Sequence, residues 1–217
     1  MEIIIKTHFC LLVIISFFML STTNAQVRFG IKTGMNRGTI NFQNTPSYIV
    51  LSSKNGFLIG GIIELPIYGP IFLQLEPCYI GKGYLENSTM VLMKADNNFS
   101  VIELPLLIKL KFDCFALKPF LTTGLNANFI LSESTRIIDY INGVDQEIGK
   151  VNNISNYQSF NLAFNLGGGI EYEISRILSI VSSIHYSTGI LNVSKRTNVT
   201  GYSEDMQVDV GVMLYLF

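Results

Sequence analysis

Charged side chains in this sequence keep to one side of every extended segment. Eight stretches, near 27–36, 56–65, 71–83, 100–112, 118–130, 160–174, 178–189 and 205–217, alternate apolar and polar residues with a period of two. That period belongs to a β-strand with two unlike faces. Charges recur within a stretch at Arg28 and Lys32; Glu76 and Lys82; Glu103, Lys109 and Lys111; Glu171 and Glu173. In each, the repeats fall on the same parity as the first charge. Such agreement would arise by chance about one time in thirty if the two faces were equivalent. Glu64 and Asp209, in two further segments, also lie opposite apolar parities.

Most segments reach ten residues or more, whereas soluble strands usually have about five or six. No stretch of comparable length has a 3.6-residue period, so the expected class is all-β with little or no helix. Short connections alternate with long ones. Pro66 to Pro70, Asp113 to Leu117 and Ser175 to Ile177 are hairpin-sized. The joins at 37–55, 84–99, 131–159 and 190–204 are longer and polar. Short turns at one end and long loops at the other match membrane barrels, whose turns are periplasmic and loops extracellular.

Alternation alone leaves open which face is inside. A lipocalin-like soluble barrel would turn the apolar face inward. Three observations favour the inverse. The apolar parity carries no charge in any of the eight segments, as a lipid-facing wall requires. The polar parity is rich in Gly, Ser, Thr and Asn, while soluble surfaces carry many Lys and Glu; only 14% of the chain is charged. The strands are also long enough to cross a bilayer, which takes about 9–11 tilted residues. The expected fold is an eight-stranded antiparallel up-and-down transmembrane β-barrel. Its interior would hold Arg28, Lys32, Lys82, Lys109 and Lys111 against Glu64, Glu76, Glu103, Glu171, Glu173 and Asp209. Glu76 and Glu103 are expected to face Lys109, Lys82 or Arg28. Eight strands leave just enough room for side chains, which predicts a plugged lumen.

Residues 1–25 read as a secretory signal peptide, with the apolar run Phe9 to Leu20 and small residues Thr23 and Ala25 before Gln26. Residues 26–217 then form one barrel domain in the outer membrane, with lipid as its surroundings. A net charge of −1 gives no footprint for nucleic acid. Cys78 and Cys114 show no metal spacing, and no cofactor motif occurs; Gly167 to Gly169 lacks the Lys-Ser/Thr of a phosphate loop.

His185 and Ser187 lie on the polar parity of one strand, with Glu204 and Asp205 across the last loop. Such a set has the residue types of a hydrolytic triad. The spacing resembles that of outer-membrane lipid A deacylases, but their catalytic groups face lipid and these face inward. A lumen histidine bonded to its neighbours is the simpler reading. The favoured function is non-enzymatic, structural or surface-binding through the long loops, whose ligand is unknown. The alternatives are a lipid-modifying hydrolase and a small transport barrel.

The stretches "FGIKTGMN" (Phe29 to Asn36), "LQLEPCYIGKG" (Leu73 to Gly83) and "IELPLLIKLKF" (Ile102 to Phe112) resemble the outer-membrane β-barrel domain of Bacteroidetes often called the PorT family. The order Gln74, Leu75, Glu76, Pro77 departs from the commoner Q-P-E. The resemblance implies an eight-stranded outer-membrane barrel. It also implies insertion by the barrel assembly machinery, which reads a terminal aromatic strand such as the one ending at Phe217. The namesake branch is implicated in protein secretion, although the shared motifs are structural.

Overall fold

The computed structural model describes residues 27–43, 48–88, 93–141, 144–196 and 199–215. The signal peptide expected at 1–25 and the expected insertion signal at Phe217 lie outside the described residues. Among the described residues there are ten strands: β1 Arg28–Phe42, β2 Ile49–Tyr68, β3 Ile71–Leu75, β4 Cys78–Ser88, β5 Met93–Lys111, β6 Leu117–Ile141, β7 Val144–Val151, β8 Phe160–Glu173, β9 Leu178–Gly189 and β10 Gly201–Tyr215. One 3₁₀ turn, Ile154–Asn156, is the only helical element among the described residues.

Every neighbouring pair is antiparallel, and β1 pairs with both β2 and β10. The sheet therefore closes on itself. β3 and β4 are two halves of one wall strand, both lying between β2 and β5. β7 pairs only with the far end of β6, outside the ring. The result is a ring of eight strands in up-and-down order. The division of the third wall strand has a local cause. Pro77 cannot donate to a ladder, and the Glu76 amide bonds instead to the carbonyl of Pro105 (3.1 Å) while the Pro77 carbonyl accepts from Gly61 (2.9 Å). Two prolines thus face each other across one interrupted stretch of ladder.

The apolar parity faces outward around the ring. On β5 the outward row is Ile102, Leu104, Leu106, Ile108 and Leu110, and Phe112 follows the strand end. On β10 it is Met206, Val208, Val210, Val212 and Leu214, each two-fifths exposed or more. These rows match the span of a bilayer crossing. A soluble protein would bury them; here about half of each side chain remains open to whatever surrounds the barrel.

Three of the four long polar loops expected from the sequence, 37–55, 84–99 and 131–159, are largely strand. β1 runs on to Phe42, β2 begins at Ile49, β5 begins at Met93 and β6 continues to Ile141. Segment 131–159 holds the end of β6, all of β7 and the 3₁₀ turn. The sequence signal failed here because a bulge at Leu131 shifts the parity. Ser100 pairs with Ser132, but Val101 pairs with Ile130. Below the bulge Asn126 and Asn128 point inward; above it Glu133 and Thr135 do. One inserted residue exchanges the faces of a strand, so the alternation cannot be followed across it.

Above the bulge the strand extensions are tied by charge. Asp96 is bonded by Lys54 and by Arg136 Nη2 (2.6 Å), joining β2, β5 and β6. Burial works against ionisation of Asp96, but the hydrogen bonds and charges of Lys54 and Arg136 outweigh it and hold the carboxyl below its ordinary range. A depressed carboxyl stabilises the fold above its unfolded pKa of about 4 and loses that contribution as pH falls through the lower folded value. Hydrogen exchange of residues 93–99, corrected for intrinsic rate, is therefore expected to keep its protection from pH 7 to about 4 and to lose part of it below. Asp96→Asn should show the lower protection across the range. Equal acid response in both proteins would rule this clasp out.

Candidate functional site

The lumen is the site, because it gathers nearly all the chemistry the sequence offers. Arg28, Lys32, Glu64, Glu76, Glu103, Lys109, Lys111, Glu171 and Asp209 are buried there, each no more than 4% exposed. Arg28, Lys32 and Asn36 point inward at successive heights on β1, and each marks a tier.

The lowest tier joins Arg28, Lys109 and Lys111 to Glu64 and Glu171. Glu171 accepts from Arg28 Nη1 at 3.0 Å, Lys111 Nζ at 2.5 Å and Lys109 Nζ at 3.5 Å. Ser179 and Tyr215 donate to it as well, each at 3.1 Å. Glu64 lies against Arg28 and accepts from Lys109 at 2.7 Å and Lys111 at 3.2 Å. Aromatic faces complete the packing: Lys109 sits 4.0 Å from the centre of Phe120, and Arg28 sits 4.6 Å from that of Phe72.

In the middle tier Lys32 bridges Glu76 (2.6 Å) and Asp209 (3.2 Å). Gln74 bonds to Glu76, and Ser183 donates to Asp209 at 2.6 Å. In the upper tier Lys82 lies between Glu103 and Asp205, with Asp205 at 2.5 Å. Gln207 supports Glu103 at 3.0 Å. Pairing on this scale is what lets a narrow lumen hold ions, since an unpaired buried charge costs several kcal/mol.

The partners differ in detail from those the sequence suggested. Glu76 meets Lys32, not Lys109, Lys82 or Arg28. Glu103 does meet Lys82. Glu173 is half-buried at the lower rim and takes Lys118 as its partner at 2.5 Å. Asp205 joins the upper tier, although the sequence pointed to it only as a triad member. Heights along staggered strands decide these pairings, and parity carries no information about height. In place of Glu173, Asp205 keeps the lumen set at six acids against five bases.

His185 and Ser187 point into the lumen between the middle and upper tiers, 2% and 1% exposed. His185 Nδ1 is 3.3 Å from Asn165 Oδ1, and its Nε2 is 4.0 Å from Asp209. Neither Nε2 nor Ser187 Oγ has a hydrogen-bond partner. Nucleophile and base are thus unjoined, and a triad needs that bond. Gly167 explains how the ring fits: a Cβ there would lie 2.5 Å from His185 Nδ1. The triple glycine makes room for His185 and, at Gly169, for the ring of Phe120.

Among the described residues, no cluster of His, Cys, Asp and Glu has the arrangement of a metal site. Cys78 is buried and Cys114 exposed, and both are free thiols. Lys195 and Arg196 are exposed on the connection between β9 and β10.

Solved structures of similar shape include outer-membrane proteins. The outer membrane protease OmpT from Escherichia coli has 9% identity and a TM-score of 0.53, covering 90% of this chain and 99% of its own. Neisserial surface protein A has 14% identity and a TM-score of 0.49, covering 87% of this chain and 97% of its own. OprG from Pseudomonas aeruginosa has 13% identity and a TM-score of 0.45, covering 88% of this chain and 94% of its own. At such identities the likeness concerns fold alone. No curated protein matches the chain. The model of the outer membrane protein beta-barrel domain family matches residues 21–208. With the closed ring and the outward apolar band, that match makes the chain a member of this family and an integral protein of the outer membrane.

Proposed function

We propose that this protein is a non-enzymatic, plugged barrel that acts at the cell surface through its extracellular strand extensions. The observation that carries this reading is the stack of three ion-paired tiers across the lumen. A pore needs a continuous aqueous path; here Lys109, Glu64, Glu103 and Glu171 are each fully buried along the axis. The hydrolase reading on His185 and Ser187 has less support, because the two side chains are unjoined and enclosed. The protease activity of OmpT belongs to that protein and gives no reason to expect proteolysis here.

The finer assignment follows the sequence motifs. The chain belongs on this reading to the PorT branch of Bacteroidetes barrels. It is exported by the signal peptide at residues 1–25 and inserted by the assembly machinery through the strand ending at Phe217. A link to secretion rests on that branch alone. Exposed Lys195 and Arg196 are suited to anionic surface ligands.

Planar-bilayer recording is the decisive test of the plug. The folded protein is expected to give no steady unit conductance at neutral pH. Sizeable, stable channels would replace the plugged barrel with the transport reading.

A further inference from the structure

Above the upper tier the inner face of the barrel is filled. Tyr84, Phe99 and Tyr157 pack there as an aromatic cap. Tyr157 reaches in from the segment after β7, and its hydroxyl meets that of Tyr84 at 2.6 Å. The open chemistry of the strand extensions lies on their outer face. On β5 the outward column passes from Ile102 through Ser100 and Asn98 to Asp96, and on β6 it passes from Ser134 to Arg136. Apolar side chains give way to hydroxyls and amides, then to charge, the order met on leaving hydrocarbon for headgroups. The climb from Ile102 to Asp96 is roughly 15 Å for a strand tilted by about 40°.

At this height cations converge from three strands. Lys54 of β2 crosses β4 over Gly83, where a Cβ would lie 3.0 Å from the Lys54 Cδ. It reaches Asp96 and, at 2.5 Å, Asn98 Oδ1. Arg136 of β6 comes from the other side and donates to Asp96 from Nη2 at 2.6 Å. Lys150 of β7 is the register partner of Arg136. Like charges directly opposite on a ladder repel, and Lys150 is exposed, with no hydrogen bond or ion pair to any described residue. The Asp96 side chain is 7% exposed and already shared, whereas that of Arg136 is 45% exposed. Lys94 is on the same face, one outward step further along β5. The other acid there, Glu147, is the register partner of Ile138. Lys54, Lys94, Arg136 and Lys150 against Asp96 and Glu147 leave the face positive.

We infer that the outer face of β5, β6 and β7 holds the phosphorylated sugar head of an outer-leaflet glycolipid, with one phosphate bridging Arg136 and Lys150. An anion between these register partners replaces their repulsion with two charge-assisted hydrogen bonds. Asp96 takes one nitrogen of Arg136, which orients the guanidinium and leaves its other donors for phosphate. The occupant is a lipid because the site continues the lipid-facing wall upward, so bound acyl chains would lie against the apolar columns below. This goes beyond the plugged-barrel reading and stands or falls separately. Conductance reports the tiers inside the ring; lipid retention reports the outer face.

The test uses the folded barrel in a neutral maltoside detergent. The probes are rough lipopolysaccharide with a phosphorylated inner core and the same material dephosphorylated with hydrofluoric acid. Native mass spectrometry counts bound glycolipid, and titration gives relative affinities. The phosphorylated form is expected to bind about tenfold more tightly, the scale of one charge-assisted hydrogen bond. Lys150→Gln breaks no contact with a described residue and should remove most of that preference, as should Arg136→Gln. Glu147→Gln takes an acid off the face and should raise affinity about twofold, the scale of an exposed charge pair, a gain that misfolding cannot imitate. Equal binding of the two forms overturns the inference. So does a phosphate preference that survives Arg136→Gln with Lys150→Gln, since it would arise elsewhere on the barrel. If Arg136→Gln releases Asp96 and does not fold, Lys150→Glu decides in its place, and a preference that survives it overturns the inference equally. Inorganic phosphate binding as tightly as the glycolipid overturns the assignment to lipid.

Discussion

Glu171→Gln is expected to lower the unfolding free energy of the barrel by about 3–5 kcal/mol, the range for breaking a buried ion pair by removing one partner. Glu171 collects Arg28, Lys109 and Lys111 at once. Without its charge, Glu64 alone faces three buried cations. Glutamine keeps the shape and one acceptor, so the loss reports charge and not volume. Urea titration in lipid vesicles, read by heat-modifiable gel mobility, measures it. Adding Lys111→Met should recover part of the loss, because it removes one surplus cation. A loss under about 1 kcal/mol, the value of a solvated pair, would mean that water reaches the lowest tier and that the plug is open there.

Leu106→Arg is expected to cost about 2–4 kcal/mol by the same measurement, the penalty for a cation at the bilayer midplane. Leu106 is central in the outward row of β5 and half exposed. On a soluble barrel the same change would fall within about 0.5 kcal/mol, since it touches nothing buried. The experiment thus separates lipid from water as the medium around the apolar face. An effect below about 1 kcal/mol would contradict a lipid-facing wall at this position.

Both predictions begin with features visible in the sequence. The parity of Arg28 with Lys32, or of Glu103 with Lys109, follows from the geometry of an extended chain, in which alternate side chains share a face. The uncharged opposite parity made lipid the favoured surroundings, and the observed ring bears out the eight-strand closure. Local signals also held at the tight connections, where β2 meets β3 and β8 meets β9.

What could not be read was height and phase. Glu76 joins Lys32 on a strand that is not its hydrogen-bonded neighbour in the ring, and the stagger between strands decides that meeting. Asp205 was visible as a carboxylate beside a histidine and a serine; only the upper tier shows that Lys82 holds it. The bulge at Leu131 exchanged the faces of β6 and hid the strand extensions inside what read as a loop. Tyr157 carried no signal of its own, since a single tyrosine in a polar stretch has no period.

By itself the sequence determined the two faces of each membrane-crossing stretch and hence a closed barrel, because period, charge exclusion and span are local properties of an extended chain in hydrocarbon. The tertiary structure alone decided which acids meet which bases and where the lumen turns from ionic to aromatic. Those outcomes depend on the stagger around the ring and on a loop residue folding back into the mouth, distances that no local pattern encodes.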